Sequence, residues 1–276
     1  MTSRREARAA LEPLGSLPDD ALDPAEVALL LSVIDRPRAV LDPYRRHLER
    51  LAREVRDYAG DNPDLPLRHE ALVQVIARRY GYGPGDGDHK DVESASLMEA
   101  IDARRGTSPA LALIWLTTAR TLGWEAVALD FPARVLLRLE AFGRRRIVDP
   151  YAGGMAIGPA DMRALLKATT GNHAELTFSH HRPLTARGLL LRLHAKVKIR
   201  LLRAERLEDA LAAVEAMRLV CPEAVVLWRE AGLIHARLDN VAQAVSALEE
   251  FLRRGGKETS RYSTSVLLQQ LRGRLG

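Results

Sequence analysis

Between residues 24 and 80 apolar side chains recur every three or four positions, which predicts three amphipathic helices. The first covers residues 24–34. Asp23 stands at the cap, Pro24 suits the first helical position, and Glu26 can reach back as the capping-box partner. Pro37 excludes its continuation. Asp42-Pro43 repeats the start signal for a second helix over about residues 43–58, with Tyr44, Leu48, Leu51 and Val55 on one face. Gly60 and Pro63 close it. A third helix reads from about residue 67 to 80, with Leu72, Val75, Ile76 and Tyr80 aligned. Residues 1–21 carry no comparable pattern and read as a flexible leader.

The period changes in the middle of the chain. A short helix over residues 94–103 leads into an Arg104-Arg105-Gly106 turn. Residues 108–122 are almost wholly apolar and read as a helix, with Gly123 where a C-terminal glycine belongs. Three strand-like runs follow at 124–129, 134–141 and 146–148, with Gly143 turning the chain and Asp149-Pro150 ending the last. After the Gly153-Gly154 turn, residues 159–168 form one more helix.

From residue 185 onward every signal is helical. Ala210 and Ala244 lie 34 residues apart, the tetratricopeptide period. In that register Trp228, Ala231, Gly232 and His235 fall on the first helix of the second repeat, and Pro222 ends the first repeat. Val214 and Leu248 take the larger apolar site. His194 and Lys198 hold the corresponding positions of a degenerate first repeat. Small residues at Gly232 and Ala244 let paired helices approach, with Trp228 filling the gap beside them. A last helix over about 259–275 caps the array.

The central stretch resembles the SirB family of bacterial proteins, which join a transglutaminase-like core to tetratricopeptide repeats. The matching residues are Arg104-Arg105-Gly106, the leucine-rich helix after it, Thr121-Leu122-Gly123, Phe131-Pro132, and the V-D-P-Y-x-G-G of residues 148–154. The resemblance runs to the C-terminus. It implies an α+β fold: a mostly helical papain- or transglutaminase-like core with a small antiparallel sheet, then an all-α repeat domain. The expected division is a leader at 1–21, a core at 22–178 and repeats at 179–276.

In such cores a nucleophile sits at the helix N-terminus, and neighbouring strands supply a base and its orienting carboxylate. Counting from Gly106, Ala110 falls at the superfamily cysteine, which is serine in SirB proteins. Arg134 falls at the histidine. Asp149 keeps the aspartate. Ser94 replaces an asparagine of the relatives. Alanine has no nucleophilic atom, and arginine stays protonated and cannot serve as a base. The resemblance therefore implies a vestigial site at Ala110, Arg134 and Asp149, with no catalytic residue. Arg134 and Asp149 are expected to pair across adjacent strands. The alternative is a hydrolase or acyltransferase with a rearranged site using Ser108, for which no histidine lies between His89 and His173.

Composition narrows the remaining classes. The chain has 276 residues and a formal charge of +5, from 36 arginines and 5 lysines against 36 acids. Such arginine bias fits a GC-rich genome and weakens any step from charge to nucleic acid. Eight basic residues against one acid lie in 182–206, the candidate nucleic-acid face, but no aromatic is interleaved for base stacking. The lone Cys221 forms no intrachain disulfide and reads as a small buried hydrophobe. No cofactor or metal is expected: Asp86 and Asp88 lack a closing glutamate, and His173, His180 and His181 sit in a solvated linker. The longest apolar run, residues 110–116, is too short for a membrane span, and no apolar signal segment opens the chain. The expected setting is cytoplasmic, and the expected partner a protein or peptide held by the repeats around Trp228, Gly232, His235 and Ala244.

Overall fold

The computed structural model describes residues 1–85, 95–132, 134–255 and 258–274. Asp86, Asp88 and Ser94 lie outside these residues. The chain packs as two units, one of residues 19–32 and 40–196, the other of residues 1–18, 33–39 and 197–276.

Residues 1–21, expected as a flexible leader, hold one helix and two 3₁₀ turns. Helix α1 (Arg4–Leu11) starts with a capping box between Ser3 and Glu6, and Ala7 and Leu11 are fully buried. Gly15 approaches α9 (Leu207–Val220) so closely that a Cβ there would stand 2.2 Å from the Leu219 carbonyl oxygen. Two buried side chains and one glycine do this work, too few to raise an amphipathic signal. Asp19, in the other unit, accepts from the backbone amides of Ala186 and Arg187 at 2.7 and 3.0 Å. It thus caps α8 (Ala186–Arg203) from far along the chain.

Helix α2 (Pro24–Asp35) starts as expected, with Asp23 accepting from Ala25 and Glu26. Helix α3 (Asp42–Ala59) ends at Gly60 with φ 66°. The third helix differs from its expectation. It begins at Leu65, because Asp64 caps it by accepting from Leu67. As α4 (Leu65–Leu72) it then widens into a π-helical segment, Val73–Arg79, in which Val75 and Ile76 are buried. No glycine or proline within that segment signals the change. A parallel pair, β1 (Gly83–Pro84) and β2 (Arg105–Gly106), flanks α5 (Leu97–Ala103), which Ser96 and Glu99 cap.

Helix α6 (Ser108–Thr121) is buried at every position from Pro109 to Leu116, as a helix apolar on all sides must be. It packs against α3 and against the sheet that follows. That sheet is antiparallel in the order β3 (Glu125–Leu129), β4 (Leu136–Ala141), β5 (Arg144–Asp149), β6 (Met155–Ala156). Leu137 faces Val148 across the β4–β5 ladder, and Ala128 faces Leu137 across β3–β4. One face carries Ala126, Ala128, Leu137, Leu139 and Val148, all buried. The opposite face builds a second cluster of Leu129, Phe131, Leu136, Met162 and Leu166 beneath α7 (Pro159–Thr170).

The segment after α7 is not merely a solvated linker. Asp130 N donates to Arg182 O at 3.0 Å and Leu184 N to Ala128 O at 2.7 Å, so the returning chain covers the free edge of β3. The His180 ring meets Phe131 edge-on at 5.8 Å.

In the other unit, α9, α10 (Val225–Arg237), α11 (Val241–Arg253) and α12 (Glu258–Arg272) pack in succession. Ala210, Val214, Ala244 and Leu248 are fully buried, matching the 34-residue register. Leu268 and Leu271 of α12 close the cluster around Ala244 and Leu248. Cys221 is buried at the end of α9 and is in no disulfide. Trp228 departs from its expected place. It is half-buried, with the Arg218 guanidinium 3.4 Å and that of Arg254 5.0 Å from its ring centroid. The indole serves as a platform for two cations rather than as filling for the α10–α11 contact.

Gly232 makes that contact. A Cβ at Gly232 would stand 2.6 Å from Leu248 Cδ2 and 3.3 Å from Ala244 O. Gly232→Leu is expected to overpack the pair and cost about 1–3 kcal/mol. The midpoint of urea unfolding reads this, and an unchanged midpoint would place the helix contact elsewhere.

Candidate functional site

Three segments converge at the start of α6. The Ser108 hydroxyl accepts from Val135 N–H at 2.9 Å, tying the helix start to the entry of β4. This bond takes Val135 out of the sheet, so β4 begins at Leu136 rather than at Arg134. Arg134 is thereby free to turn towards Asp149. Its Nη1 lies 2.8 Å from Asp149 Oδ2, and its guanidinium stacks 4.9 Å from the Tyr151 ring centroid.

Asp149 ends β5 and is only 2% exposed, whereas the Arg134 side chain is 27% exposed. The other carboxylate oxygen of Asp149 accepts from Tyr151 N at 2.9 Å, capping the short 3₁₀ turn Pro150–Ala152. Burial pushes the Asp149 carboxyl above its ordinary value, opposed by Arg134 and by the amides of Tyr151 and Ala152. The carboxylate is thus fully engaged in holding a cation and a turn.

Ala110 is completely buried in the first turn of α6. A Cβ built on Gly106 would lie 3.4 Å from Ala110 Cβ, so this methyl packs under the Arg104-Arg105-Gly106 turn. Helix α6 also packs on the 3₁₀ turn that follows Asp149. The segments bearing Ala110, Arg134 and Asp149 therefore meet, with the ion pair as their polar content.

Two histidines that carried no motif approach this region. His69 of α4 donates from Nε2 to Gly154 O at 2.6 Å, and its Nδ1 receives Arg146 Nη1 at 3.1 Å. Both ring nitrogens are occupied, and burial lowers its pKa. His47 of α3 is buried, with Nε2 2.8 Å from the Tyr82 hydroxyl and 2.6 Å from Arg104 Nη1. Burial first, and the Arg104 charge second, lower its pKa to about 4. Arg104 closes α5 at φ 56° and stacks over Tyr80 and Tyr82 at 5.4 and 5.0 Å. The first arginine of the turn is a brace between helices. Only the fold could reveal this, because His47 lies 57 residues before it.

The basic run at 182–206 is largely paired. Arg187 meets Asp19, Arg192 meets Asp130, Lys198 meets Glu230, Arg200 meets Asp35, and Arg206 meets Asp35 and Asp209. Among the described residues no cluster of His, Cys, Asp and Glu could hold a metal ion. No helix of the described residues is long and apolar enough to cross a membrane.

The repeat unit carries a groove of about 480 Å³ lined by Lys198 and Leu202 of α8, Leu233, Ile234 and Arg237 of α10, and Leu267 of α12. These are alternate helices, as expected for the inner face of a tetratricopeptide array. His235 of α10 contacts Asn240 at 3.4 Å, and burial lowers its pKa.

Known proteins match in the same two parts. The family described as the transglutaminase-like superfamily matches residues 42–195, and the tetratricopeptide repeat family matches residues 197–269. A UPF0162 protein of Xylella fastidiosa is 22% identical over 87% of this chain and 86% of its own. Another UPF0162 protein, from Vibrio cholerae, is 25% identical over 84% and 86%. Protein SirB1 of Salmonella typhimurium is 24% identical over 74% and 76%.

Proposed function

Since the chain belongs to the transglutaminase-like superfamily and carries tetratricopeptide repeats behind that core, we propose that it is a non-catalytic member that binds a protein partner. One observation carries the first half. The carboxylate that would orient a catalytic imidazole is instead paired with a guanidinium, 2.8 Å away and permanently charged. Ala110, at the position of the nucleophile, offers only a buried methyl. Ser108, the alternative nucleophile, accepts a backbone hydrogen bond, and no histidine bonds it among the described residues. Fluorophosphonate treatment of the intact protein should leave Ser108 unmodified by mass spectrometry. Stoichiometric labelling at Ser108 would restore the enzyme reading.

The repeats support the second half. In the α8–α10–α12 groove the rim charges are neutralised in pairs, Lys198 with Glu230 and Arg237 with Glu205. What remains is an apolar floor of Leu202, Leu233 and Leu267. Such a floor suits an amphipathic helical segment that inserts a row of apolar side chains. Displayed helical peptides selected on the wild-type protein should lose about tenfold or more in affinity for Leu233→Arg, which puts a charge on that floor. Equal affinity for both proteins would move the binding site elsewhere.

A further inference from the structure

The sheet face turned away from α6 is only partly covered. Alpha-helix α7 lies over Leu129 and Leu136, while the other end of β4 and β5 stays open. There Arg138, Arg145 and Ile147 share one face, since Arg138 is opposite Ile147 and Arg145 opposite Glu140 in the ladder. Residues 156–158 and 178–183 wall this area into a cleft of about 760 Å³.

Its charge is one-sided. Arg138, Arg145, Arg146 and Arg182 line it, together with His181. Glu140 faces the same space and takes Arg138 Nε at 2.7 Å and Arg145 Nε at 2.9 Å. Both bonds use Nε, so they fix the two guanidiniums side by side and leave terminal N–H groups pointing onward. Arg138 Nη1 makes a long 3.4 Å contact with His181 O, and Arg146 Nη1 meets His69. Arg182 has no ion-pair partner among the described residues. Gly158 N–H, at the start of α7, is taken by Asp161 Oδ2 at 2.9 Å, so that helix end is already capped. Arg138, Arg145 and Arg182 thus share the cleft with one carboxylate, Glu140, which two of them engage, while Arg146 pairs with Leu139 and its guanidinium turns to the other sheet face. The apolar wall is Ile147, Ala156, Ile157, Pro183 and Phe178, and Phe178 is 82% exposed.

We infer that this cleft binds a diphosphate-bearing small molecule, with the phosphates on Arg138, Arg145 and Arg182 and any flat group against Phe178. A single carboxylate would leave the cleft with a net positive charge. Adjacent phosphates supply several negative oxygens within the reach of neighbouring guanidiniums, whose paired N–H groups match them. The volume suits a mononucleotide. Two sources share this chemistry, free pyrophosphate and a nucleoside diphosphate, and Phe178 separates them.

The test is isothermal titration of the full chain at about 50 mM salt, where phosphate contacts are strongest. The probes are pyrophosphate, ADP, adenosine and citrate. Saturable binding of pyrophosphate and ADP is expected, with none of adenosine. Arg145→Glu with Arg182→Glu should weaken both by at least about tenfold, because both side chains are exposed and their loss leaves the fold intact. The charge-matched control Arg53→Glu with Arg56→Glu, on the exposed face of α3, should bind as wild type. Phe178→Ala weakening ADP but not pyrophosphate assigns the site to a nucleotide, and equal binding assigns it to the diphosphate alone. The inference is overturned by absence of saturable binding, by equal loss in the control, or by citrate binding as tightly as pyrophosphate.

Discussion

Gly154→Ala is expected to be the most damaging small substitution in the core, costing about 2–5 kcal/mol. Two effects add. Gly154 has φ 84°, a conformation that strains a residue with a Cβ by about 1–2 kcal/mol. The new methyl would also stand 2.1 Å from Trp115 Cη2 and 2.9 Å from Val73 Cγ2. Trp115 is fully buried in α6, and Val73 begins the π-helical segment, so neither can retreat cheaply. Overpacking of this kind adds about 1–3 kcal/mol. Gly153 provides the control. It has φ 65°, but its added Cβ would meet only Ala77 Cβ at 4.0 Å, an ordinary contact. Gly153→Ala should therefore cost about 1–2 kcal/mol, the conformational part alone. Urea unfolding of the two variants separates the effects, and equal losses would show that Trp115 is not in the way.

Arg134→Ala should produce a loss that depends on pH. It leaves the Asp149 carboxylate, 2% exposed, with backbone donors but no countercharge. Stranding a buried charge in this way costs about 3 kcal/mol at neutral pH. Asp149 already has its carboxyl raised by burial, and removing Arg134 takes away the largest opposing influence. A carboxyl whose folded pKa lies above its unfolded value is held more tightly protonated in the native state. Its ionisation on raising the pH then costs stability. The deficit of the variant should be larger at pH 7 than at pH 4, because lowering the pH protonates Asp149 in the folded variant and the neutral carboxyl needs no countercharge, while the unfolded-state titration is common to both proteins. Arg134→Lys should recover part of the loss, since a cation remains but without the planar fork over Tyr151. A deficit of the same size at both pH values would assign the effect to packing under the Tyr151 ring.

Much of the fold was legible from the chain alone. An apolar helix ended by Gly123, three alternating strands and a 34-residue period are local signals, because each arises from side chains that neighbours in sequence place on one face. The order of core and repeats, and the register of Gly232 against Ala244, follow from them. The expectation that Ala110 and Arg134 stand at the superfamily's nucleophile and base positions rests on the resemblance, with the turn at residues 104–106 fixing the count to Ala110.

The tertiary structure decided what depends on remote partners. Asp19 caps α8 across more than 160 residues, and Arg104 braces His47 and Tyr82 of two other segments. The first 21 residues look unpatterned because their buried contacts rest on a few residues such as Ala7, Leu11 and the bare Cα of Gly15, and their polar ones on remote partners such as Asp209 for Arg4. The basic run at 182–206 reads as one charged stripe, yet most of its cations find carboxylates brought by other elements. Arg134 leaves the strand because Ser108, 27 residues earlier, takes the amide that would have continued the ladder. Sequence periodicity reports which face of an element is apolar. It cannot report which distant donor or charge will be opposite that face, since this depends on chain closure rather than on local spacing.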